Sequence, residues 1–102
     1  MLEALDRIDR RTTGGREAFE GDELLQTWVV HHIEILGEAA RAVSPELQAG
    51  HPEVPWRAIT AMRNLLVHEY FRVDPGEVWL TVERDLPRLR DQLTRVLASL
   101  TD

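Results

Sequence analysis

The fold is decided by the stretch from Asp22 to Val43, which reads DELLQTWVVHHIEILGEAARAV. Its apolar positions recur every three or four residues, the spacing that places side chains on one face of an α-helix. The positions that keep this period are Leu25, Trp28, Val29, His32, Leu36, Ala39, Ala40 and Val43. Asp22 is a favourable N-cap residue, and Ser44-Pro45 stops the pattern. The stretch therefore predicts one long amphipathic helix.

Shorter helices are predicted on both sides of the long one. Leu2, Leu5 and Ile8 keep helical spacing, and the Thr-Thr-Gly-Gly run at 12–15 is typical of a turn that ends this segment. On the other side, residues 45–49 can add one helical turn before a glycine.

A rigid connector follows at residues 51–55, His-Pro-Glu-Val-Pro, because its two prolines exclude a regular helix. Pro55 suits the first position of the next helix, which we expect to begin near Trp56 and to end near Tyr70.

A last helix is predicted from Asp74-Pro75, an N-cap followed by a proline at the first helical position, to about Leu100. Pro87 lies inside it and removes a backbone hydrogen bond, so we expect a kink or restart near Asp85-Leu86. No segment alternates as a strand does. The predicted class is all-α, a bundle of about four main helices.

Composition limits the classes of function. The chain has 102 residues, enough for one domain over 1–102, and 12 basic against 18 acidic residues give a net charge of −6. This charge argues against a nonspecific duplex binder or a membrane-surface protein, but not against an enzyme that acts on RNA through a few arginines. The absence of cysteine excludes disulfides, thiolate zinc sites and cysteine nucleophiles. With no export signal or spanning segment in view, we expect a cytoplasmic protein.

The reactive side chains are densest from Arg63 to Tyr70, in the sequence RNLLVHEY. On a helix, Arg63 and Tyr70 lie within about 20° of each other, and Asn64 and His68 within about 40°. Arg63 and His68 are separated by about 140°, too far for both to bind one phosphate. Either the helix unwinds after Val67, or a second copy related by a two-fold axis brings an arginine and a histidine into one cleft.

Spacing alone also fits structural roles for these residues. An arginine and a histidine near a helix end commonly cap it or form salt bridges. Asn64 is equally consistent with a solvated or capping amide, and Tyr70 with a core position whose hydroxyl reaches the rim.

The string Arg63-x4-His68-x-Tyr70, with Asn64 directly after the arginine, resembles the RX4HXY motif of the HEPN superfamily, and more specifically HepT toxins. Further stretches occur in the order that HepT-like proteins show, and the resemblance covers the chain from about Trp28 onward. These stretches are 33–40, 51–57, 63–71, 73–74, 78–79 and 85–87. The chain departs from the family at its start, where members commonly carry a longer first helix.

The resemblance implies a HEPN-type antiparallel helical bundle that forms a homodimer and is encoded beside a minimal nucleotidyltransferase antitoxin, MntA. It also implies a metal-independent endoribonuclease, without cofactor, in which Arg63 and His68 are catalytic. Histidine can move protons at neutral pH, and the arginine fork can bind two phosphate oxygens as charge develops. Asn64 would orient His68 or a phosphate. The antitoxin would transfer AMP to Tyr70 and so place negative charge and bulk beside Arg63.

A second hypothesis belongs to a different class. In it the bundle is a catalytically inactive HEPN partner or substrate of the nucleotidyltransferase and binds nucleotide or RNA, which the acidic net charge favours. RNA cleavage by the pure protein without metal separates the two hypotheses.

Other candidates are weaker. His31 and His32 are adjacent and poorly placed to share a metal ion, and we predict no metal site. The three tryptophans favour core or dimer packing over base stacking. Gly37 is predicted to permit a close helix contact, within the chain or across a dimer. Glu38 is predicted to be solvated or paired with an arginine, as is Glu34 one turn earlier.

Overall fold

The computed structural model of the chain describes residues 1–68 and 74–101, with the side chains of this part except those at 65–68 and 101. All regular secondary structure in these two ranges is helical. The elements are α1 (Leu2–Arg11), α2 (Gly15–Glu20), α3 (Glu23–Ala42), α4 (Pro45–Gly50), α5 (Trp56–His68), α6 (Pro75–Leu80), a π-helical turn (Thr81–Asp85) and α7 (Leu86–Thr101). The predicted all-α class is confirmed, since α1, α3, α5 and the continuous helix from α6 to α7 are the four main helices.

Helix α3 begins and ends where the sequence predicted. The Asp22 carboxylate accepts a hydrogen bond from the Leu25 backbone N–H at 3.1 Å, which satisfies one of the free donors of the first turn. Val43 leaves the helical conformation, and Ser44 then caps α4 by accepting from the Leu47 N–H at 3.2 Å. The predicted helical turn at 45–49 is thus confirmed as α4.

Helix α2 was not predicted. It has six residues and one buried side chain, Phe19, so it offers no periodic pattern to recognise. Phe19 is fully buried and its ring lies 5.5 Å from that of Trp79, centroid to centroid, which attaches α2 to α6. The predicted turn before α2 is confirmed: Gly15 has a φ of 86°, a conformation that glycine adopts without steric cost.

The helix carrying Pro87 is interrupted as expected, but in a specific way. The chain stays helical throughout and widens into the π-helical turn Thr81–Asp85 directly before α7. A π-turn inserts one extra residue into the helix, and it relieves the conflict between the proline ring and the preceding carbonyl groups. At the start of this helix, Asp74 accepts from the Gly76 N–H at 2.8 Å, confirming the predicted N-cap.

The core is built around α3, which packs most extensively on α5 and also on α1 and α2. Trp56 and Trp79 are buried in it, so the predicted core role is confirmed for these two tryptophans, whereas Trp28 is only partly buried and packs at its edge. The indole N–H of Trp56 donates to the His51 carbonyl at 3.0 Å, which fixes the proline connector to α5. None of the helices in the described ranges is both long and apolar enough to cross a membrane.

Candidate active site

Arg63 lies on the side of α5 that faces α3. Its guanidinium forms an ion pair with Glu38 of α3, with 2.5 Å between Nη2 and Oε1, and its Nη1 donates to the Asn64 side-chain oxygen at 3.1 Å. The side chain is 27% exposed. Its Nε is buried and has no hydrogen-bond partner in the part of the chain that the structure describes. The stem of Arg63 is therefore held between two helices, while the guanidinium edge reaches solvent.

Gly37 makes this position of Arg63 possible. A Cβ atom at residue 37 would lie 2.2 Å from the Arg63 Cβ and 2.7 Å from its Cγ, far inside normal contact distance. It would also lie 3.4 Å from the Ile59 carbonyl oxygen. Only glycine lets α3 and α5 approach this closely at the arginine. The predicted close helix contact is confirmed, and it occurs within one chain.

Glu38 is the carboxylate that forms the ion pair with Arg63. The prediction that it would be solvated or paired with an arginine is confirmed in the second form, and its side chain is 52% exposed. Ion pairs this exposed contribute less than about 1 kcal/mol, because water and salt screen them. The Glu38 carboxylate contacts Nη2 of the guanidinium, a group whose planar donor geometry also suits a phosphate.

Asn64 is exposed and contacts the catalytic candidate beside it. Its side-chain oxygen accepts a hydrogen bond from Nη1 of Arg63, whereas Glu38 contacts Nη2. The two contacts together restrict the rotation of the guanidinium. The i,i+4 spacing of Asn64 and His68 predicts a contact between their side chains. The side chain of His68 lies outside the described part of the structure, so that contact stays a prediction.

The backbone of α5 is helical up to and including His68, so the helix does not unwind between Val67 and His68. Positions 63 and 68 of the helix therefore keep their separation of about 140°. Tyr70, the predicted modification site, and the predicted end of the helix near it lie outside the described residues.

His32 and His51 have structural partners. His32 is buried, its Nδ1 lies 2.8 Å from the Trp28 carbonyl oxygen, and its ring stacks on Trp28 with centroids 3.9 Å apart. His51 Nδ1 lies 3.3 Å from Glu53 Oε1. Within the described ranges, no three His, Asp or Glu side chains are grouped so that they could hold a metal ion.

An all-helical bundle with an arginine held against the central helix and a histidine five positions later is the architecture of a HEPN-type protein. The chain matches the family model described as "Ribonuclease HepT-like" over residues 1–96, and it belongs to that family. The match extends the resemblance from the region after Trp28 to α1 and α2.

Relatives carry related names. A "Probable ribonuclease HepT" of Thermococcus cleftensis is 38% identical over 80 residues, covering 78% of this chain and 73% of that protein. A "Putative RNase" of Caldanaerobacter subterraneus subsp. tengcongensis is 37% identical over 81 residues, covering 79% of this chain and 72% of the relative. A "Gamma-glutamylcyclotransferase and putative RNase" of Methanocaldococcus jannaschii is 32% identical over 101 residues, 98% of this chain; the chain spans 46% of that protein's length. No solved structure matches the chain.

Proposed function

We propose that this chain is the toxin of a HepT/MntA-type toxin-antitoxin system and cleaves RNA without a metal ion. The observation that carries the proposal is the seating of Arg63, the first residue of the family motif, at the glycine contact between α3 and α5. There it has a fixed stem and a guanidinium edge held by an exposed carboxylate. This arrangement suits a residue that must bind a phosphate when substrate arrives.

The chemistry requires a proton acceptor, a proton donor and a cation. The 2′-oxygen attacks the neighbouring phosphorus after its proton passes to an imidazole, and the bond from phosphorus to the 5′-oxygen breaks as that oxygen receives a proton. We assign the proton transfers to His68, because an imidazole exchanges protons near neutral pH. Arg63 binds the phosphate oxygens as their negative charge increases, and Asn64 keeps the guanidinium in place.

We further propose that two copies of the chain form the active enzyme. A helical α5 keeps positions 63 and 68 about 140° apart, so a partner's histidine is needed beside Arg63. The apolar faces of α3 and α5 bury much of their surface against each other within one chain. An apolar groove of about 260 Å³ remains between α3, α5 and α7, lined in part by Pro55, Ala58 and Met62, and we place the dimer contact there.

Control by an MntA-like nucleotidyltransferase is the remaining part of the proposal. The partner would transfer AMP from ATP to the phenol oxygen of Tyr70, with release of pyrophosphate. The phosphodiester formed carries one negative charge, which can pair with Arg63 and exclude the substrate phosphate. In the test, wild-type protein gains the mass of AMP and loses ribonuclease activity, whereas Tyr70→Phe does neither. Loss of the ribonuclease activity of Tyr70→Phe in the presence of the nucleotidyltransferase would contradict this mechanism without affecting the ribonuclease assignment.

A catalytically inactive partner protein is the second candidate. The ion pair between Glu38 and Arg63 favours it, because the proposed catalytic cation is already occupied. On this hypothesis Arg63 would bind the phosphate of a nucleotide or RNA, and no bond would break.

The deciding experiment incubates the purified chain with a fluorescently labelled single-stranded RNA in EDTA. Wild type and Arg57→Ala, an exposed arginine on the same helix, should cleave equally, whereas Arg63→Ala and His68→Ala should not cleave. Arg63→Lys should be severely impaired, because lysine keeps the charge but loses the bidentate geometry. Cleavage only after addition of Mg²⁺ would contradict the metal-independent mechanism. Binding without cleavage under either condition would favour the inactive partner.

A further inference from the structure

A polar cleft lies between α1 and α3. It has a volume of about 890 Å³, within the range of ligand sites, and it is open to solvent. Arg7, Arg10 and Arg11 line it from α1, with Glu3 as the one acidic residue. In a chain with a net charge of −6, this cleft concentrates positive charge.

The three arginines share one side of α1, because they are spaced i, i+3 and i+4. All three are exposed. Arg7 pairs with Glu3 at 2.7 Å, an exposed contact of small energy. Arg10 has no ion pair with any residue that the structure describes. Arg11 likewise has no ion pair with a described residue, and the pairing of Arg7 is weak, so all three guanidinium groups are available for an anionic ligand without loss of a buried partner.

The opposite wall, on α3, is aromatic. The guanidinium carbon of Arg11 lies 5.8 Å from the centre of the Trp28 ring, and Trp28 in turn stacks on His32. Trp28 is only partly buried, unlike the other two tryptophans. Arginine side chains beside a partly exposed indole form the combination that binds single-stranded nucleic acid, with cations on the phosphates and a ring on the base.

The cleft and the candidate active site lie along the same face of α3. His31 and Ile35 line the cleft, and Glu38, the partner of Arg63, follows on the same face with i, i+4 and i+7 spacing. All three side chains are exposed. Seven residues of helix rise about 10 Å, so positions 31 and 38 lie within a few nucleotides of each other along a bound strand. A strand bound in the cleft can therefore place a nearby phosphate at Arg63.

We propose that the α1/α3 cleft is an RNA-binding subsite that holds nucleotides adjacent to the one cleaved. The arginines of α1 bind backbone phosphates, and Trp28 stacks on a base. The identity of the ligand rests on the proposed ribonuclease function, but the cleft binds RNA whether or not the bond is broken.

The test measures binding of a single-stranded RNA that carries 2′-O-methyl groups and cannot be cleaved through its 2′-oxygen. The cleft variant Arg7→Gln, Arg10→Gln, Arg11→Gln is compared with the control Arg41→Gln, Arg84→Gln, Arg95→Gln. The control removes the same number of charges from exposed positions elsewhere. The cleft variant should bind at least about tenfold more weakly, and the slope of log K against log salt should become shallower by about 2, for three lost phosphate contacts. The control should retain the wild-type slope.

Tryptophan fluorescence gives an independent readout. Because Trp56 and Trp79 are buried, quenching by the RNA should come from Trp28 and should disappear in Trp28→Phe. If the triple variant loses its helical circular dichroism, Arg10→Gln against Arg41→Gln provides the comparison, with the cleft variant binding more weakly.

Equal weakening by the cleft and control variants would overturn the subsite, as would unchanged binding by the cleft variant. A cleft variant that still binds RNA but no longer binds the nucleotidyltransferase would assign the cleft to a protein partner and would also overturn the RNA subsite. Binding in the cleft by a chain that never cleaves RNA would defeat the proposed enzyme while leaving the subsite standing.

Discussion

Gly37→Ala tests whether the contact between α3 and α5 positions Arg63. The new Cβ would lie 2.2 Å from the Arg63 Cβ, about 1.3 Å short of an ordinary carbon–carbon contact. Both atoms are attached directly to helix backbones, so no side-chain rotation relieves the clash and the helices must separate. Overpacking of this kind costs about 1–3 kcal/mol, and the higher helix propensity of alanine offsets up to about 1 kcal/mol. We expect a net loss of about 1–2 kcal/mol in the free energy of unfolding.

The matched control is Gly50→Ala, at the end of α4, where an added Cβ meets no atom within 4 Å. Thermal unfolding followed by circular dichroism should show a lower Tm for Gly37→Ala, by about 4–8 °C for each kcal/mol, and little change for Gly50→Ala. If the chain is the proposed ribonuclease, kcat of Gly37→Ala should fall by about a hundredfold, since Arg63 moves by about 1 Å. Equal Tm values for the two variants would refute the packing argument.

Three further perturbations follow from the structure. Asp22→Ala removes the cap of α3 and should cost about 1 kcal/mol in chemical denaturation, whereas Glu23→Ala, which leaves the cap intact, should cost less. Phe19→Ala empties a fully buried position and should cost about 3–5 kcal/mol, a large part of the stability of a typical domain; a loss below about 1 kcal/mol would show that α2 is not part of the cooperative core. Glu38→Gln should change stability by less than about 1 kcal/mol yet tighten RNA binding, because Arg63 loses its competing anion; weaker binding by this variant would contradict the competition.

Much of the fold could be predicted from the sequence because the long helices carry strong periodic patterns. Asp22 caps the start of α3 and Ser44 caps the start of α4 through residues three positions away, and Asp74 does the same through Gly76 in the last helix. The interruption before Pro87 was predictable from the missing N–H. Its form as a π-helical turn depends on how the flanking residues pack, which local sequence does not specify.

The candidate site was only partly predictable. The motif identified Arg63, and Gly37 was recognised as a close-contact residue, but nothing in their spacing shows that they meet across two helices. The partner of Arg63 is Glu38, 25 positions earlier in the chain, and such long-range pairs depend on the packing of α3 and α5. The arginine side of α1 was not predicted as a site, because the cleft that Arg7, Arg10 and Arg11 form with an aromatic wall depends on the contact between α1 and α3.

The state of Arg63 explains how one residue can serve both catalysis and control under the proposed function. Its stem is fixed by the glycine contact, so the position of the charge does not change when the counter-ion does. Its pairing with the exposed Glu38 is worth less than about 1 kcal/mol, whereas hydrogen bonds to a charged group contribute about 1.5–3 kcal/mol once a bound substrate or adenosine excludes water from the guanidinium. Either a substrate phosphate or the phosphodiester of a modified tyrosine can therefore replace Glu38. The substrate phosphate and the phosphodiester of the modified tyrosine compete for one guanidinium. Removal of Glu38 should therefore strengthen the binding of each to Arg63, and the relative amounts of RNA and modified protein decide which one binds.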